Sequence, residues 1–216
     1  MATFQVRIED IIGATASLGS DNSSANEQAI QDALQDTASD IINKVRGSML
    51  MQYATKSSNI TSNPIASNLE GSRIIMVERL GEKSLYHSCI FMDASFNGKI
   101  QNPDSIYFST LESPNWTWND NDLYVYPAPT GSYPSRYYTI ETPTIEHGDS
   151  SVTKFPNELE HALVLGASAR LKQRQITFYN EDEDSEVVAL HRAQWAELEQ
   201  KYQDAIAPFM ESKESA

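Results

Sequence analysis

The stretch Phe155-Pro156-Asn157-Glu158-Leu159-Glu160-His161-Ala162-Leu163-Val164-Leu165-Gly166-Ala167 marks a change in the character of the chain. Proline fixes φ and lacks an N–H, so Pro156 suits the opening of a helix. Glu158 and Glu160 put negative charge at the positive end of the helix dipole. Leu159, Ala162, Leu163, Gly166, Ala167 and Leu171 then recur at steps of three and four, which predicts a helix with one apolar face. Gly166, Ala167 and Ala169 are small enough for another backbone to approach closely. The approaching element could belong to the same chain or to another copy. Lys172 and Arg174 fall in the last turns, where a dipole favours cations.

The regions on both sides of the middle of the chain are also helical in pattern. Glu181 to Glu186 is an acidic linker that can also serve as the N-terminal turn of a last helix, expected from about Asp184 to Pro208. Its stripe is Val188, His191, Trp195, Leu198, Tyr202, Ala205 and Phe209, at heptad spacing. Glu211 to Ala216 is a polar tail. Near the start, Ile8, Ile11, Ile12 and Thr15 predict a short helix over Val6 to Ser17. A polar break, Gly19 to Asn26, leads to a capping box at Ser24 and Glu27. Ile30, Ala33, Leu34, Ala38, Ile41, Ile42 and Val45 follow, ending near Gly47. The terminal stripes have nothing else to cover them. Ile30, Leu34, Ile41, Ile42 and Val45 should therefore pack on Leu159, Leu163, Trp195, Leu198 and Tyr202.

The middle reads differently. After a polar loop, Thr55 to Asn68, short β-branched and aromatic runs replace the helical period. They are Ile74 to Val77, Ser88 to Met92, Ile106 to Phe108, Trp116 to Trp118, Leu123 to Tyr126 and Tyr137 to Ile140. Asn97-Gly98 is a hairpin-turn signal. Asn119 to Asp122 and Pro127 to Pro134 punctuate the remaining runs. The expectation is an α+β fold: a helical bundle formed by N- and C-terminal helices with a central antiparallel β-rich insertion. The bundle is assigned to residues 1–70 and 148–216, and the insertion to 71–147.

The 216 residues carry 16 basic and 30 acidic side chains, a net charge of −14. Such a chain repels nucleic acid at long range, and no basic stripe offsets this. The single cysteine, Cys89, lies in an apolar run and reads as a small buried hydrophobe. The first residues, Met1 to Arg7, contain no apolar signal-peptide core, and no run is long enough to span a membrane.

Catalytic constellations are missing from the sequence pattern. His87, His147, His161 and His191 are scattered, with no metal-ligand spacing, phosphate loop or nucleophile elbow. Asn119-Asp120-Asn121-Asp122 lacks the glycine and distal glutamate of a calcium loop and reads as a hairpin turn. No enzyme, metal or cofactor is expected.

Three phrases carry a resemblance to the head-to-tail connector, or adaptor, proteins of tailed double-stranded-DNA bacteriophages. One is the helix Gln28 to Asp36 with Asp40-Ile41-Ile42 following. Another is Leu123-Tyr124-Val125-Tyr126-Pro127-Ala128-Pro129, a strand ending in a Pro-x-Pro turn. The third is the Phe155 to Ala167 helix, succeeded by an acidic loop and a long final helix. The resemblance implies a structural virion protein at the neck, made in the host cytoplasm. It implies a homo-oligomeric ring of about a dozen copies. Its partners would be the portal protein, a tail or nozzle protein, and genomic DNA that passes through the channel without specific binding; no membrane is involved.

Candidate interface residues are Trp116, Trp118, Tyr124, Tyr126, Gly166 and Phe209. Candidate basic residues of the channel are Arg170, Lys172 and Arg174, although a helix C-terminus already accounts for their charge. The rival readings are another neck or tail-completion protein, a carbohydrate-binding module using Trp116 and Trp118 as a stacking platform, and an enzyme with an unrecognised site.

Overall fold

The computed structural model describes residues 2–13, 23–69, 72–181 and 185–210. The first elements are helices α1 (Phe4–Ile12), α2 (Ser23–Lys44) and α3 (Gly47–Leu50). Strands β1 (Thr55–Lys56), β2 (Ala66–Ser67), β3 (Ser72–Leu80), β4 (Tyr86–Ser88) and β5 (Ile90–Phe91) follow. After a helical turn α4 (Asn97–Ile100) come β6 (Asn115–Asn119), β7 (Asp122–Tyr126) and β8 (Ser135–Glu141). The described chain closes with α5 (Glu160–Glu181) and α6 (Ser185–Ile206). This is the expected α+β class, with helices at the termini and strands between them. Two compact units form: Met1–Tyr53 with Thr142–Ala216, and Ala54–Glu141.

In the helical unit α5 packs against α1, α2 and α6. Every residue from Ala162 to Ala169 is buried, so this stretch of α5 is apolar or small all round rather than on one face. Ile30, Leu34, Ile41, Ile42 and Val45 of the α2 stripe are buried, as are Leu159, Leu163, Leu198 and Tyr202. Trp195 is half-buried. Helix α1 is shorter than the sequence pattern suggested. The Thr3 side chain caps its start by accepting from the Val6 N–H, and Gly13, at φ +85°, ends it. The Gly13 N–H donates to the Glu9 carbonyl. The remainder of the expected helix, the capping position's neighbours before Ser23, the acidic residues 182–184 and the tail from 211 lie outside the described residues. Gln35 of α2 holds the returning chain, donating to the Pro143 carbonyl at 2.8 Å and accepting from the Ile145 N–H at 3.2 Å.

The other unit contains two four-stranded sheets, ordered β1-β8-β3-β4 and β2-β7-β6-β5. One core cluster joins them: Ile65, Val77, Cys89, Leu123 and Val125 are buried together, with Ile74, Trp116, Trp118 and Tyr137 packed against it. All pairings are antiparallel except β5 with β6, which is parallel. The Asn119–Asp122 turn joins β6 to β7, with Asp120 and Asn121 at φ +55° and +64°. That geometry suits a two-residue hairpin, and Asp and Asn tolerate it.

Several expected local elements differ. The polar loop after residue 54 supplies β1 and β2, which pair at the edges of the two sheets. Ser88 to Met92 is not one strand. Cys89 donates its N–H to Val77 in the first sheet and Ile90 donates to Pro114 beside the second, so the chain changes sheets there. Asn97-Gly98 lies in helix α4 instead of a hairpin, because Asp93 caps the preceding turn by accepting from the Ser95 N–H. Ile106 to Phe108 is a turn. Its backbone N–H groups bond within the 100–109 loop instead of to a strand.

Candidate assembly surfaces

In the helical unit a polar cluster lies where α2, α5 and α6 meet. Tyr202 Oη donates to Asp40 Oδ2 at 2.6 Å, and Lys44 Nζ pairs with the same oxygen at 2.8 Å. Arg170 reaches Asp40 at 3.8 Å and donates to Thr37 Oγ1 at 2.9 Å. Burial works against the Asp40 charge, but the hydrogen bonds from Lys44 and Tyr202 and the nearby cations outweigh it, holding its carboxyl below the usual range. Burial first, and then Asp40, push the Tyr202 hydroxyl upward. Gly166 explains how the helices come this close. A Cβ there would lie 2.5 Å from Thr37 Cγ2 and 3.0 Å from Tyr202 Cε2.

The three basic residues of α5 have separate environments. Arg170 is tied to Asp40 and Thr37. Lys172 is 4% exposed, and its ammonium donates to the Ile12 carbonyl at 3.1 Å, at the C-terminal end of α1. Burial lowers its pKa. Nζ also lies 3.3 Å from Nδ1 of His191, whose ring stacks on Tyr179 at 5.0 Å. Arg174 is exposed. Phe209 is half-buried, and its carbonyl accepts from the Arg46 N–H at 2.9 Å.

In the strand unit Trp116 and Trp118 stand opposite Val125 and Leu123 across the β6–β7 pair, so all four share the face toward the core cluster. Both indoles are half-buried. With Leu69, Ser72 and Ile74 they line a cleft of about 320 Å³. Among the described lining residues Ser72 supplies the only hydroxyl. A sugar site needs several convergent polar groups beside its stacking rings, so the described lining suits an apolar side chain better. Tyr124 and Tyr126 are half-buried and lie on the opposite face, in register with buried Thr117 and Asn115.

That opposite face carries the 101–110 loop. Asn115 Nδ2 donates to Ser109 Oγ at 2.6 Å and contacts the Tyr107 carbonyl at 3.5 Å. The loop exposes Ile106 by 91%, together with Tyr107 and Phe108. Ile90 and Phe91 on edge strand β5 are also exposed, and Phe91 lies 4.7 Å from Trp116 between ring centroids. Sequence reading took Ile106 to Phe108 as a strand and so missed this apolar projection. Proline and Ser/Asp spacing over Pro103-Asp104-Ser105 was the available turn signal.

Arg79 was also missed. Lying between Glu78 and Leu80 in β3, it carries no signal of burial, yet it is 1% exposed. Nη2 donates to the Ala128 carbonyl at 3.0 Å, while Nε and Nη1 have no hydrogen-bond partner among the described residues. It thereby ties β3 to the Pro127–Pro129 turn. The adjacent Cys89 thiol is buried, and burial pushes its pKa up to about 12, so it is a poor nucleophile.

Among the described residues, no group of three or more His, Cys, Asp or Glu is placed to hold a metal ion. Nor is any described helix long and apolar enough to cross a membrane. The features that stand out are packing and contact surfaces. No curated protein matches the chain. The family model for SU10 adaptor protein matches residues 3–211, a span that takes in both the terminal helices and the strands between them. In keeping with its resemblance to phage head-to-tail adaptors, the chain belongs to the SU10 adaptor protein family.

Proposed function

We propose that this adaptor is a non-catalytic subunit of the neck, forming a ring of about a dozen copies between portal and tail. In this reading the ring extends the DNA channel, contacts the portal protein on one side and a tail or nozzle protein on the other, and lets genomic DNA pass. The observation that carries it is the adaptor-family match over 3–211. The consecutive exposed residues Ile106, Tyr107 and Phe108 support it, since a contiguous apolar projection marks a contact surface.

Charge also fits a passive channel. With −14 per chain, a ring offers passing phosphates no average counterion-release gain. Two of the three candidate channel cations have other partners: Arg170 holds Asp40, and Lys172 holds the Ile12 carbonyl. Arg174 remains the candidate from that group.

Electron microscopy of the purified chain mixed with its portal tests the proposal. The expected result is a ring seated coaxially on the portal, with a matching mass in solution. A chain that binds a sheath, fibre or capsid vertex instead, with no portal complex, would overturn it.

A further inference from the structure

Three features outside the helical cluster could carry a function: buried Arg79 beside Cys89, the Lys172–His191 contact, and the apolar surfaces of the strand unit. The first two are closed to partners by burial or by their own helices. The third presents a projection and a recess on one chain.

We propose that Ile106 of one copy inserts into the Leu69–Ser72–Ile74–Trp116–Trp118 cleft of the next, making a head-to-tail contact between strand units. This deepens the ring reading above and rests on it.

The projection is held in shape. Asp104 N–H donates to Asn102 Oδ1, Tyr107 N–H to Ser105 Oγ, Phe108 N–H to the Ser105 carbonyl and Ser109 N–H to the Ile100 carbonyl. The buried Asn115–Ser109 bond anchors the base of the loop. An isoleucine held 91% exposed on a braced loop loses little conformational freedom when it docks. The cleft is open and mostly apolar, and Ile106 is an apolar side chain.

The two surfaces lie on opposite faces of the β5–β6–β7 sheet. Trp116 and Trp118 point one way, and Asn115, which holds the loop, points the other. A chain therefore cannot fill its own cleft. A pair related by a two-fold axis would have to use both contacts at once, across one sheet. Different patches meeting in sequence produce rings or filaments.

Charge favours a second copy here. The strand unit holds nine acidic and six basic residues, a net −3, and the remaining chain holds twenty-one and ten, a net −11. Like-charged copies meet least repulsion through the nearly neutral unit.

The test uses the full chain with Ile106→Cys and Ser72→Cys, singly and combined, under mild oxidation. Native Cys89 is buried and should not interfere. The combined variant should give a covalent ladder of dimers, trimers and higher species, while each single variant stops at dimers. Ile106→Asp should leave the thermal midpoint of the dilute monomer unchanged, because in the single chain that side chain is in water, and reduce the multimer mass at least several-fold. Assembly of the unmodified chain without a ladder would overturn the contact and leave the ring reading standing. Ile106→Asp rings that form normally but fail to bind portal or tail protein would also overturn it, in favour of a partner protein. A chain that stays monomeric at high concentration and on the portal would remove both.

Discussion

Tyr202 Oη lies 2.6 Å from Asp40 Oδ2, joining the last long helix to the second across 162 positions of sequence. The bond donates to a carboxylate that also takes Lys44, and the tyrosine is 1% exposed. Hydrogen bonds to charged groups contribute about 1.5–3 kcal/mol, and the lower end applies because 27% of the Asp40 side chain still meets water. Tyr202→Phe should therefore destabilise the helical unit by about 1.5 kcal/mol in chemical denaturation. A loss below about 0.3 kcal/mol would show that the bond is replaced by water without cost.

The same carboxylate sets a pH dependence. Its folded pKa lies below the ordinary aspartate value of 3.8, so it contributes stability that is present above that value. The contribution is lost as pH falls through the lower, folded pKa. Denaturation of wild type and Asp40→Asn should differ most at about pH 5 and above, and the difference should shrink as pH falls below the usual carboxylate range. A constant difference across that range would exclude Asp40 as the titrating group.

Gly166 should not accept a side chain. A Cβ would meet Thr37 Cγ2 at 2.5 Å, and Thr37 is fixed by its 2.6 Å bond to the Ala33 carbonyl and by Arg170. Gly166→Ala gains helix propensity of about 1 kcal/mol but overpacks the contact, at a cost of about 1–3 kcal/mol. The expected net is destabilisation with a lowered thermal midpoint. A rise in the midpoint would mean that α2 and α6 move apart freely.

Leu198 is 7% exposed in the face of α6 that packs on α5. Leu198→Ala should cost about 2–3 kcal/mol, near the low end for a leucine at the margin of a core. A loss under about 0.5 kcal/mol would place the helix outside the bundle in solution.

Duplex DNA should bind weakly. At about 50 mM salt, where electrostatic attraction is strongest, a gel shift should show no submicromolar complex. If one appears, Arg174→Ala tests the exposed cation first, because Arg170 and Lys172 already have protein partners.

The helices were legible because their cause is local. The three-and-four spacing of Ile30 to Val45 and of Val188 to Tyr202 specifies a stripe whatever covers it, and the Asn119–Asp122 turn carries its own backbone preference. The class, helices at both ends and strands between, followed from where that spacing stops and resumes. Strand partners were not legible. A two-residue strand such as β2 exists only because Leu123 and Asp122 lie alongside it, and Cys89 becomes a crossing point only because Val77 and Pro114 accept from successive residues. The candidate surfaces divide in the same way. Sequence alone determined that Trp116 and Trp118 share a face and that Gly166 permits close approach. Only tertiary structure decided that Gly166 receives Thr37 and Tyr202, that Lys172 is buried against Ile12, and that Ile106 stands in water. Alternation and small size are properties of a few neighbouring residues, whereas burial is determined by whatever distant segment the fold brings against them.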